Sequence, residues 1–70
     1  MDTVERLLEI TSRLEHLEIS ADWITRETVH SDNAISQTST LIGVLAEEIR
    51  ERVCTLIRQL ETRASLKDMH

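Results

Sequence analysis

"HSDN", His30 to Asn33, is the stretch on which the fold depends. Ser, Asp and Asn cap helix N-termini and form turns, because their short side chains bond nearby backbone groups. Read as a turn with its tip at residues 31–32, these residues fold the chain back on itself. Read as helix, they join both halves into one long coiled-coil rod. The sequence on either side favours the turn.

At about 100° per residue, the first half places Val4, Leu7, Ile10, Leu14, Leu17, Ala21 and Ile24 on one stripe. The second half does the same with Ile35, Ile42, Leu45, Ala46, Ile49, Val53, Leu56, Ile57 and Leu60. Asp2, Glu5 and Glu9 lie at the start of the first helix; Arg58, Arg63 and Lys67 lie toward the end of the second. Both placements suit the helix dipole. A turn at 31–32 sets Leu14 against Ile49, Leu17 against Ala46, Ile10 against Val53 and Leu7 against Leu56. Stripe then meets stripe along the whole length. The predicted fold is all-α, an antiparallel two-helix hairpin. One helix covers about 2–30 and the other about 33–64, with 65–70 a frayed tail.

Composition sets the next limit. Seventy residues with one cysteine, Cys54, form one small domain without an internal disulfide. A chain of this size has a poor ratio of core to surface. Each helix of a hairpin shields only one side of the other. The expected solution is a second copy that completes a four-helix bundle, with a different protein in that place as the other option. The acidic start "MDTVERLL" lacks the basic then apolar pattern of a signal peptide, and "LIGVLA" is far short of a membrane span. A cytoplasmic protein without a membrane segment is expected. Net charge is −5, with eight basic residues scattered among thirteen acidic ones, so nucleic acid is a poor first partner.

The stretch "NAISQTSTLIGVLA", Asn33 to Ala46, holds no charge, although 30% of the chain is charged. Within it Ser36, Ser39, Gly43 and Ala46 recur at three and four residues. Such a seam of small side chains lets another helix come close, and it is assigned here to self-association. Leu41 and Val44 lie away from the main stripe, as do Ile19 and Trp23 on the first helix. Two readings compete for these four. In the preferred one, the second copy of a dimer covers them. In the other they stay open as a partner surface, with Trp23, the only aromatic, as anchor.

Signals for chemistry are weak. "ETVH", Glu27 to His30, has the Glu-x-x-His spacing of di-iron bundles, but it sits beside the turn and faces the charge-free stretch. His16 and His30 read as surface histidines. Cys54 has no His or Lys next to it to activate a thiolate. "EEIRER", Glu47 to Arg52, reads as charge pairs on a helix surface. No nucleophile–base pair or phosphate loop is present. The sequence therefore points to a non-enzymatic interaction protein without cofactor or metal: an adaptor, regulator or chaperone-like module. The alternative is an RNA- or DNA-binding hairpin dimer, which needs Arg6, Arg13, Arg58 and Arg63 on one face. As architecture the scheme is shared by dimeric RNA-binding bundles and small secretion chaperones, and architecture does not fix function.

Overall fold

The computed structural model describes residues 2–68, with side chains as far as Leu66. It contains two helices, α1 (Thr3–Thr28) and α2 (Asn33–Asp68), packed antiparallel as a hairpin. Asp2 caps α1: its carboxylate Oδ1 accepts from the Val4 backbone N–H at 3.3 Å. At the other end the Thr28 carbonyl accepts from both Ser31 N–H (3.1 Å) and Asp32 N–H (2.8 Å), which closes the helix. Asp32 then caps α2, its Oδ1 taking the Ile35 N–H at 3.1 Å. The predicted turn is thus present, and Asp32 is the residue that makes it. It occupies 29–32, slightly wider than the two-residue tip expected. α2 continues through Asp68, and residues 69–70 of the expected tail lie outside the described residues.

The seam between the helices follows a strict alternation of three and four residues. On α1 the covered or half-covered positions are Val4, Leu7, Thr11, Leu14, Glu18, Ala21, Thr25 and Thr28. On α2 they are Ser36, Ser39, Gly43, Ala46, Arg50, Val53, Ile57 and Leu60, with Cys54 at the margin. This is the repeat that keeps two helices in register as knobs into holes. A Cβ on Gly43 would lie 3.6 Å from the Ala21 Cβ, so these two residues face each other. Continuing from that pair, Thr25 lies level with Ser39, Glu18 with Ala46, Leu14 with Arg50, and Leu7 with Ile57.

The expected pairings are therefore corrected. Ala46 meets Glu18 rather than Leu17, and Ile10, Leu17, Ile49 and Leu56 lie largely open beside the seam. Each helix is rotated by about 50°, half a residue step, from the centre of its apolar stripe. The cause is the short turn, which forces the helix axes together where they leave it. Small side chains permit that approach and branched aliphatic ones do not. Serine, threonine, alanine and glycine thus take the inside near the turn, and Val4, Leu7, Val53, Ile57 and Leu60 close the seam near the open end. Polar atoms in the small seam find partners locally. Thr25 Oγ1 donates to the Ala21 carbonyl at 2.9 Å, and Ser36 Oγ donates across to the Thr25 carbonyl at 3.5 Å. Among the described residues no buried side-chain N or O lacks a partner.

Candidate interaction surfaces

Among the described residues only Ala21, Ala46, Ile57, Ser36 and Ser39 are buried, and no large side chain is fully enclosed. The interior of the hairpin is thin, and most of its large aliphatic side chains lie outside. Most of those side chains fall in two sets; Leu8, Val29 and Leu66 are exposed outside both.

The first set is a row. Ile10, Leu17 and Ile24 on α1, and Ile35, Ile42, Ile49 and Leu56 on α2, recur every seven residues and are all exposed. Each sits one position before a seam residue. Because the helices run antiparallel, the same flank of each faces the same side of the hairpin. The two series therefore form one uncharged aliphatic strip. Leu45 lies at its outer edge. The sequence stripes contained every one of these residues, but could not show that they would stand beside the seam and not in it.

On the opposite flank lies a shallow groove of 310 Å³, lined by Glu18, Asp22, Thr25, Ser39, Thr40, Gly43, Val44 and Glu47. Its walls are acidic and its floor is the small seam.

Ser36, Ser39 and Ala46 are 6, 5 and 2% exposed in the single chain. Within the chain these residues, expected at a self-association seam, are covered by α1, and Gly43 lies against Ala21. In the hairpin the helix that approaches this seam of small side chains is the chain's own α1.

The second set comprises the candidate partner residues. Ile19, Trp23, Leu41 and Val44 are all exposed. Ile19 and Trp23 come together in a depression of 490 Å³ with Ser20, Ile24 and Arg26. Val44 lines the acidic groove, and Leu41 lines neither. Trp23, at 57% exposure, lies on the outer surface of α1, away from the seam, in a depression that it shares with Ile24 of the strip.

Between the small and aliphatic halves of the seam stands an ion pair that stripe reading missed. Arg50 Nε donates to Glu18 Oε2 at 2.6 Å and Nη2 to Oε1 at 3.3 Å. Both side chains are only partly exposed. The hydrogen bond that Arg50 donates to Glu18, and then the Glu18 charge, hold the Arg50 guanidinium pKa above its ordinary value. A two-pronged pair of this kind is directional, and charged seam residues are a known means of selecting one helix register. A count of the three–four repeat would have found both residues, since each occupies a seam position that should be apolar. The other ion pairs, Glu9–Arg13 and Asp22–Arg26, are exposed and lie within α1.

The basic residues are dispersed. Arg6 and Arg13 border one depression with Glu9 and Ile10; Arg58 and Arg63 border another with Thr55, Gln59 and Thr62. Arg13 is engaged by Glu9 at 2.9 Å. Glu27 ends on the surface of α1 and His30 lies in the turn; among the described residues no three His, Cys, Asp or Glu side chains gather as a metal site would require. No described helix is long and apolar enough to cross a membrane. Cys54 is a free, half-buried thiol at the margin of the seam. Comparison with known proteins yields no matching family model, no matching curated protein and no matching solved structure.

Proposed function

We propose that this chain is a non-enzymatic interaction module, of adaptor, regulator or chaperone-like type, that works as a homodimeric four-helix bundle. The observation that carries the reading is the aliphatic strip from Ile10 to Ile24 and from Ile35 to Leu56. Its seven large side chains share one flank, and the chain's own fold leaves them open. A hairpin that rotates its largest aliphatic residues out of its seam has its stability supplied from outside. A second helical layer is the economical cover for such a strip.

In this assembly Ile19 and Trp23 remain accessible on the outer face of α1, with Leu41 and Val44 on that of α2. These residues are the surface offered to a second protein, and an accessible tryptophan beside aliphatic neighbours is a usual anchor for such contact. The nucleic-acid reading gains nothing from the dispersed arginines.

The test has two stages. Light scattering on the purified chain should give twice the chain mass. Native-cell extracts should then yield a protein retained by the wild type and lost with Trp23→Ala, while that variant keeps its mass and helicity. A fully helical monomer refutes the dimer, and identical capture by both chains refutes the Trp23 surface.

A further inference from the structure

We infer that the second copy sits on the aliphatic strip with its turn at the opposite end. The two-fold axis crosses the hairpin at the level of Glu18 and Ala46. This rests on the homodimer reading and adds its geometry.

The spacing of the strip supports that axis. On α2, Ile42 and Ile49 stand four and three residues from Ala46, and Ile35 and Leu56 stand eleven and ten. On α1, Ile10 and Ile24 stand seven residues to either side of Leu17. The row is close to symmetric about its own middle. Reversing a second copy end for end therefore lays aliphatic on aliphatic throughout: Ile42 against Ile49 of the second copy, Ile35 against its Leu56, and Leu17 against its Leu17. An interface that one surface makes with itself requires such a pattern.

Spacing alone would also admit a dimer with both turns at one end, and charge decides between the two. With the turns together, α1 lies over α2 of the second copy at equal height, which brings Arg13 level with Arg52 of that copy. With the turns apart, α1 lies over the reversed α1, and Arg6 comes within reach of Glu27 of the second copy. Leu45, at the edge of the strip, then meets Leu45 of the second copy beside the axis. Like charges set side by side at an interface disfavour that partner arrangement, and opposite charges favour theirs.

The exposed surface is large for the mass. The chain exposes 5685 Å². A compact folded monomer of 8.1 kDa exposes about 4,500 Å² by the usual scaling of surface with mass. The difference, about 1,200 Å², marks an extended hairpin whose core is incomplete. The radius of gyration, 16.6 Å, is likewise far above the roughly 11 Å of a compact domain of this length.

The orientation can be read directly. In a Cys54→Ala background, Ser31→Cys places a nitroxide label on the exposed turn, away from the strip. Pulsed dipolar spectroscopy should give a label separation on the order of 40 Å, because the axis lies fourteen residues from the turn at about 1.5 Å per residue. A separation under about 20 Å, the width of two adjacent helices, would mean that the turns lie together, and would overturn the arrangement while leaving the dimer standing. In the same background Leu45→Cys should form a disulfide-linked dimer on mild oxidation. Turns at one end would put the two Leu45 positions on opposite sides of the bundle, so failure to cross-link a confirmed dimer also counts against the inference. A monomer mass for the unmodified protein removes the dimer reading itself.

Discussion

Gly43 offers the sharpest check on the seam. It is the only glycine in the chain and lies mid-helix in α2, where glycine costs about 1 kcal/mol relative to alanine. A Cβ added there would meet only the Ala21 Cβ, at 3.6 Å, an ordinary van der Waals distance. Gly43→Ala therefore gains the propensity without a clash and should stabilise by about 0.5–1 kcal/mol. For a chain of this size that raises the melting temperature by about 2–8 °C. Gly43→Leu has nearly the same helix propensity, so propensity cancels between the two variants. What differs is the isobutyl group, which must pass the Ala21 Cβ to reach the groove that Gly43 lines. Overpacking of that kind costs about 1–3 kcal/mol, so Gly43→Leu should melt about 4–24 °C below Gly43→Ala. The assay is thermal unfolding followed by helical circular dichroism at one fixed protein concentration, because the midpoint of a dimer depends on concentration. Equal melting of the Ala and Leu variants would show that Gly43 does not lie in a close-packed seam. A loss of stability in Gly43→Ala would show that the approach to Ala21 is tighter than 3.6 Å.

Ile42→Asp, in the middle of the strip, should abolish the dimer by light scattering, whereas Val44→Asp on the other flank should keep it; the opposite order would place self-association on the wrong side. Trp23 should emit as a solvated indole and be quenched by iodide, and Trp23→Ala should change stability by no more than about 0.5 kcal/mol, as at an ordinary surface position. Blue-shifted, protected emission in the purified protein would mean that the second copy does cover Trp23. Glu18→Ala should lower the melting temperature clearly more than Glu9→Ala, which breaks only the exposed pair within α1. Arg50 has its pKa raised by Glu18, so its contribution is complete below the ordinary arginine range and is lost only as pH rises past the raised value. The Glu18→Ala effect should then be as large at pH 9 as at pH 7, and a decline between them would contradict the assignment.

Much of this molecule is legible in its sequence because the signals are local. Asp32 and Asn33 mark the start of α2, and Asp2 that of α1, since capping needs only a side-chain oxygen and the next few backbone N–H groups. The absence of proline, and apolar residues at helical spacing, determine two long helices. The turn between them determines an antiparallel hairpin. The three–four recurrence of Ser36, Ser39, Gly43 and Ala46 announces a seam of close approach. Which helix enters that seam is not a local property. The apolar stripe on each helix is broad enough to serve two neighbours, and helical periodicity cannot say which edge turns to which neighbour. The tertiary structure decided it through distance. Four turn residues hold the axes close, so the small edge of the stripe went inward against Ala21, Thr25 and Thr28. The aliphatic edge, Ile10 to Ile24 and Ile35 to Leu56, was left outside. The same rotation, about 50° or half a residue step, brought Glu18 and Arg50 into the seam and placed Trp23 on the far surface, since a helix advances 100° per residue and half a step decides what is buried.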